Sequence, residues 1–307
     1  MTSNVIVLGG SGMLGSMVTD YLSRDNTLNV CATVRTKELA AAYHQKIKNV
    51  KWLLFDAAAP DLDKSLDIIR GYEWVINAIG ITKPLVHDNN ALEVERAIWI
   101  NSVVPYHLVR KAETNKSRVL QIGTDCVYSG KKGKYSESDE YDPLDVYGKS
   151  KSLGEVASPN NYLLRCSIIG PEPKEHKMLL DWFLGQAKNS KVNGYNNHNW
   201  NGVTTLQFAR LCQGIIKQDL KLTKFQHIIP TGAITKCQML QEFAKNYSRD
   251  DIMITPVEAS TVIDRTLQTS NETMNLKLWS SAGYSIPPTV PEMIAELARF
   301  DFRLKGN

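Results

Sequence analysis

The chain has 307 residues, 43% of them apolar and 22% charged, with a formal net charge of +4. That length and apolar share can build a large core and suit one compound α/β unit plus a smaller lobe; the small charge, without a basic run, argues against nucleic acid as a partner. No apolar stretch is long enough to span a bilayer, and five scattered cysteines without a C-x-x-C, beside six histidines without ligand spacing, argue against a structural metal site and suit a reducing cytoplasm.

Residues 4–8 form a short β-branched apolar run that reads as a buried parallel strand. It begins so early that no room is left for a signal peptide, and a cytoplasmic protein is expected. Gly9, Gly10, Gly12 and Gly15 follow at once, and residues 13–22 read as a helix. Strand, glycine turn and helix are the context that a dinucleotide-binding loop requires. Glycines let the backbone approach a pyrophosphate, which then meets free N–H groups at the positive end of the helix. The expected cradle is Gly9, Ser11, Gly12, Met13, Leu14 and Gly15.

A second strand, residues 28–34, ends at Arg35, followed by Thr36 and Lys37. An acid at this place takes the ribose 2′-hydroxyl of NAD; a cation suits the 2′-phosphate of NADP. NADP(H) is therefore favoured over NAD(H). Residues 50–55 read as a strand ending at Asp56, on the adenine side of the cofactor. Residues 62–70 read as a helix. The strand 74–77 runs into Ala78 and Gly80, whose small size lets a cofactor lie close. A long helix over 92–112 carries Asn101. The strand 119–123 precedes Thr124 and Asp125, and a helix over 145–157 carries Tyr147 and Lys151, before a strand at 162–166. Such alternation implies an α/β fold with a doubly wound parallel sheet, which binds ligands at the carboxyl ends of its strands.

Residues four apart on a helix share a face, so Tyr147 and Lys151 point into one cleft. A nearby ammonium would lower the tyrosine pKa from about 10 toward working pH and make Tyr147 a general acid for carbonyl reduction. Lys151 would also reach the nicotinamide ribose, and Thr124 would hydrogen-bond the same carbonyl oxygen. The protein positions and polarises, while the cofactor carries the hydride.

Past Cys166 the character changes. Residues 178–187 read as an amphipathic helix with Trp182 and Phe183 in the core. Residues 193–201 read as a polar loop that either closes over a ligand or lies on the surface. Trp200 is placed to stack on a base or sugar and Asn201 to bond a hydroxyl. Residues 206–216 and 226–231 read as a last helix and strand of the sheet, and 238–246 and 290–300 as helices of the small lobe. Arg265 reads as an exposed, ion-pairing arginine rather than a diphosphate contact.

The stretches GGSGMLGS, NAIG, IGTDCVYSGKKGKYSESDEYDPLDVYGKSKSLGE and LLRCSIIGPE resemble the extended short-chain dehydrogenase/reductase family, in its dTDP-4-dehydrorhamnose reductase-like branch. The resemblance covers residues 1 to about 170 well and the rest more loosely. It implies a Rossmann sheet with a smaller carboxyl-terminal substrate lobe: residues 1–166 with about 203–232 against residues 167–202 with 233–307. It implies a catalytic set of Thr124, Tyr147 and Lys151, with Asn101 supporting the lysine through water. The implied reaction is NADP(H)-dependent reduction of the 4-keto group of a nucleoside-diphosphate 4-keto-6-deoxysugar. The implied partner is a small nucleotide sugar, and a homodimer stays open. Three departures bear on the sugar: Gly123 stands for a hydroxyl residue, Cys126 for an aromatic one, and Gly202-Val203-Thr204-Thr205 for a glycine-x-Pro-Thr turn. An epimerase or dehydratase holding NAD remains an alternative, although Cys126 replaces the second acid that a dehydratase carries. So does a non-catalytic, NADP-binding regulatory subunit, which the intact Thr124, Tyr147 and Lys151 disfavour.

Overall fold

The structure, a computed structural model, describes residues 2–305; the outermost residues of the two expected units, 1 and 306–307, lie outside that range. The chain first alternates strand and helix. β1 (Ser3–Leu8), α1 (Met13–Leu22), β2 (Leu28–Val34), α2 (Lys37–Lys46), β3 (Lys51–Leu54), α3 (Leu62–Ser65) and β4 (Trp74–Asn77) form the first half. α4 (Ala91–Ile98), α5 (Val104–Asn115), β5 (Arg118–Gly123), α6 (Val146–Leu153) and β6 (Asn161–Arg165) continue it. The remainder comprises β7 (Ile168–Ile169), α7 (Leu179–Leu184), β8 (Lys191–Tyr195), β9 (His198–Trp200), β10 (Val203–Thr204), α8 (Thr205–Lys217) and β11 (Phe225–His227). β12 (Ile234–Thr235), α9 (Lys236–Asn246), β13 (Met253–Val257), β14 (Ile263–Asp264), α10 (Glu272–Ser281) and α11 (Val290–Arg299) complete the chain.

Seven strands form one parallel sheet in the order β11-β6-β5-β4-β1-β2-β3. The order reverses at β1, which pairs with β2 on one side and β4 on the other. A crevice opens at such a switch point, above the carboxyl ends of the strands. The central strands are buried because helices cover both faces. Leu14, Met17, Val18 and Leu22 of α1 join a core with Phe208, Leu211 and Ile215 of α8, and the same core continues into Phe183, Met239 and Leu297 of the smaller lobe.

Three expected elements differ. The helix expected over 92–112 is two helices joined by a π-helical turn at Trp99–Val103. Pro105 stands four residues after Asn101; it lacks the N–H that would bond the Asn101 carbonyl, and its ring would crowd that carbonyl. The helix expected to 157 stops at Leu153, with Gly154 as its C-cap. The loop expected over 193–201 is largely strand: β8 pairs with β13, and β9 is sandwiched between β12 and β14. α2 and α10, not anticipated, start from side-chain caps, where Thr36 accepts from Leu39 N–H and Asn271 from Met274 N–H.

Candidate active site

The glycine turn closes onto the first helix. Gly9 has φ +82, and a side chain on Gly15 would lie 2.2 Å from the Gly9 carbonyl. Gly9 N–H donates to Thr33 Oγ1 at 3.0 Å and Gly10 N–H to the Thr33 carbonyl at 2.8 Å, which ties the turn to β2. α1 begins at Gly12 with no side-chain cap and no acid in its first turn. The N–H of Gly15 therefore lacks the acceptor that Thr36, Asp145, Thr204 and Thr235 supply three residues on in α2, α6, α8 and α9, and the Met13 and Leu14 N–H groups of the same first turn are open as well. Ser11 is buried beside them. A pyrophosphate fits this uncapped end.

Other expected cofactor residues line the same edge. Ala78 backs the turn, its carbonyl 3.2 Å from where a Gly9 side chain would begin. Gly80 is exposed, and Asp56 is exposed with one carboxylate oxygen accepting from Ala58 N–H at 3.0 Å. Arg35 is exposed at the end of β2. Lys174 approaches it from the segment after β7; burial first, and then the Arg35 charge, hold its pKa below the usual lysine range. Two cations close enough for one charge to act on the other suit an anion, although Glu175 offsets part of the effect on Lys174.

Thr124 follows β5. Its Oγ1 accepts from Cys126 N–H at 3.2 Å and lies within hydrogen-bond reach of the Tyr147 phenol. Asp145 caps α6 through Gly148 N–H at 2.8 Å and pairs with Lys83 at 2.6 Å, so Tyr147 sits in a fixed first turn. One turn on, Lys151 is buried and donates to the Ile122 carbonyl at 3.1 Å. Burial raises the Tyr147 pKa, with the neighbouring Cys126 adding to it and the Thr124 hydroxyl opposing it. Lys151 is itself pushed down by burial, against the pull of Glu155. The net shift of Tyr147 is therefore upward, set by desolvation, and not the expected lowering. Among the described residues Asn101 makes no direct side-chain hydrogen bond to Lys151. Its amide clasps the Ile81 backbone, receiving N–H at 2.8 Å and donating to the carbonyl at 3.0 Å, and donates to Ser150 Oγ at 3.1 Å.

The substrate side carries further corrections. Asp125 is buried, accepts from Thr124 and lies near Ser167; burial raises its pKa while Arg265 and Lys236 oppose the rise. Burial and then the Asp125 charge push the Cys126 thiol up to about 12. Arg265 is half-buried and donates to the Tyr128 carbonyl at 2.9 Å, not an exposed ion-pairing arginine. Trp200 is not on a mobile loop. It is 4% exposed at the end of β9, and its indole N–H donates to Ser167 Oγ at 2.8 Å. Asn201 donates to the Leu267 carbonyl at 2.7 Å and accepts from Leu267 N–H at 2.9 Å, so its amide clasps backbone rather than awaiting a sugar hydroxyl. Sequence reasoning missed Lys174, Ser167 and Lys236. Only Lys236 left a signal: a lysine at the first position of a helix, where the dipole disfavours a cation.

Among the described residues no cluster of three or more histidine, cysteine or acidic side chains could hold a metal ion, and no helix is long and apolar enough to cross a membrane.

A curated relative, the dTDP-4-dehydrorhamnose reductase of Aggregatibacter actinomycetemcomitans, is 30% identical over 170 residues, 54% of this chain and 51% of that one. The chain spans about half the length of the curated relatives it matches. Among solved structures, the dTDP-4-dehydrorhamnose reductase of Bacillus anthracis in complex with NADP superposes with TM-score 0.71 at 15% identity, over 97% of this chain and 99% of that one. A UDP-N-acetylglucosamine 4-epimerase of Methanobrevibacter ruminantium superposes with TM-score 0.73 at 16% identity, over 97% and 98%. At these identities the two structures share the fold. The RmlD substrate binding domain family model matches residues 3–300, and the chain belongs to that family.

Proposed function

We propose that the chain is an NADPH-dependent reductase of the 4-keto group of a nucleoside-diphosphate 4-keto-6-deoxysugar, working in deoxysugar and polysaccharide biosynthesis. The observation that carries this reading is the set of Thr124, Tyr147 and buried Lys151 at the carboxyl end of β5, on the sheet edge that also bears the uncapped start of α1. The curated relative named a dTDP-4-dehydrorhamnose reductase and the related structure bound to NADP support it.

The dinucleotide, when bound, supplies a hydride. Met13 and Leu14 N–H groups and the glycine turn would hold its pyrophosphate, and Arg35 with Lys174 its 2′-phosphate. Thr124 would donate to the sugar's carbonyl oxygen and Tyr147 would give that oxygen its proton. Lys151, one turn from Tyr147, would stabilise the phenolate left behind. The surrounding burial keeps water from competing for that proton.

The test is incubation with NADPH and a panel of nucleoside-diphosphate 4-keto-6-deoxysugars. NADPH consumption with a 4-hydroxy product is expected; no consumption across the panel overturns the reading. Interconversion of sugar epimers without net NADPH loss would instead mark an epimerase. Cofactor choice has its own check. Arg35→Ala should weaken NADPH about 10-fold or more in a fluorescence titration and leave NADH almost unchanged, because only NADPH carries the 2′-phosphate. Equal losses for both cofactors would remove Arg35 as the selector.

A further inference from the structure

The first residue of α9 is Lys236. A cation there meets the positive end of the helix dipole, which costs stability. The capping box of Thr235 and Gln238 fixes the helix start, so the lysine cannot leave the first turn. Its Nζ stands 5.5 Å from the centre of the Trp200 ring, and Trp200 is held in turn by Ser167. Among the described residues Lys236 takes part in no ion pair and no side-chain hydrogen bond; Asp125, Cys126 and Arg265 are the groups whose charges it feels. Burial lowers its pKa to about 8, with Asp125 pulling it back up. Facing an aromatic ring and no hydrogen-bond acceptor, this half-buried ammonium keeps its N–H donors for a ligand.

Asp125, immediately after Thr124, accepts from the Thr124 hydroxyl at 3.3 Å and lies near Ser167, the residue that also holds the Trp200 indole beneath Lys236. An ammonium only donates and a carboxylate only accepts. A group that meets both must accept from one and donate to the other, as an alcohol does. We propose that Lys236 and Asp125 hold one hydroxyl of the substrate sugar, on the carbon beside the reacting carbonyl. Lys236 donates to the hydroxyl oxygen, and the hydroxyl donates to Asp125. The position follows from adjacency, since Thr124 and Tyr147 hold the carbonyl and Asp125 is the next residue along the chain. Trp200 supplies the wall behind Lys236. This inference rests on the reductase reading above and adds a specificity-determining residue to it.

The experiment uses the full chain, NADPH and a sugar nucleotide that the wild type reduces. Lys236→Met should raise the KM for that substrate about 10- to 100-fold, the effect of losing a hydrogen bond from a charged group. The NADPH Kd should stay the same. Against an analogue lacking the hydroxyl beside the carbonyl, wild type and Lys236→Met should have equal kcat/KM. Lys236→Gln, which keeps an N–H donor, should recover part of the loss; it carries the test if melting shows Lys236→Met unfolded. Wild-type KM in both variants, or the same penalty on both substrates, overturns the inference alone. A wild type that consumes no NADPH with any of the panel overturns the reductase reading and this inference together.

Discussion

Tyr147 is the residue on which the chemistry turns, and its surroundings decide its protonation. Desolvation holds the phenol above its ordinary pKa, and the Thr124 hydroxyl within reach only partly offsets that. A proton donor benefits from this, because the acid form persists beyond the range of a free tyrosine. Tyr147→Phe should therefore cut kcat by about 10²- to 10⁴-fold, with NADPH affinity kept. In the wild type kcat should show no loss from tyrosine ionisation below about pH 10. Turnover at the wild-type rate in Tyr147→Phe would remove it from the mechanism. Lys151 makes a different contribution. Its ammonium is anchored on the Ile122 carbonyl at the end of β5, so it ties helix to strand as well as facing the cleft.

At the scale of elements, one irregular turn positions α6. The π-helical turn at Trp99–Val103 brings Asn101 and Ser102 against that helix: Asn101 donates to Ser150 Oγ at 3.1 Å and Ser102 Oγ donates to the Ser150 carbonyl at 2.7 Å. Gly154, at the C-cap, lies so close that a side chain there would begin 1.8 Å from the Asn101 carbonyl oxygen. Gly154→Ala should thus push α6 off the turn, lower stability by about 1–3 kcal/mol and reduce kcat through Tyr147. Denaturant unfolding beside steady-state kinetics checks this, and an unchanged unfolding midpoint would show that the two elements part freely. The example also explains what could be read in the sequence. The parallel strands declare themselves as β-branched runs, and the glycine loop by its spacing. The π turn keeps the helical apolar rhythm, so 92–112 reads as one helix; only the distance from Pro105 back to Asn101 betrays the break. β8 and β9 are polar, with Asn193, His198 and Asn199, and their partners β13 and β14 are distant in sequence. Strands of that kind carry no local signature, because long-range pairing holds them. For the same reason Trp200 and Asn201 read as ligand contacts: nothing nearby announces Ser167 or Leu267.

Across the whole molecule, a buried polar network joins the last strands of the sheet to both flanking segments. Arg165 on β6 is fully buried and ion-paired with Glu155, its Nε donating to Oε1 at 3.1 Å. It also donates to the hydroxyls of Tyr128 at 3.0 Å and Tyr141 at 2.8 Å. Its remaining contact is His227 Nε2 on β11, at 2.6 Å, while His227 Nδ1 lies 2.7 Å from the Gln268 carbonyl. A carbonyl only accepts, so Nδ1 carries the proton and Nε2 offers its lone pair to the guanidinium. Protonating Nε2 would set two cations together in a dry site. Burial first, and then Arg165, hold the His227 pKa down from 6.5 to about 4, with Glu137 opposing. The unfolded chain thus binds a proton between those values that the folded chain refuses. Stability is complete above pH 6.5 and falls as pH drops toward 4, by an amount on the order of 3 kcal/mol. Asp25, Glu137 and Asp251, whose pKa values are held at about 2, give up theirs mostly below pH 4.5, so the histidine window can be separated from theirs. His227→Gln removes the titration: its unfolding free energy should be lower than wild type at pH 7, yet nearly flat between pH 6.5 and 4.5. Urea unfolding at several pH values makes the comparison. Equal slopes in the two proteins would mean that the network tolerates a charged imidazole and that the acid sensitivity arises elsewhere.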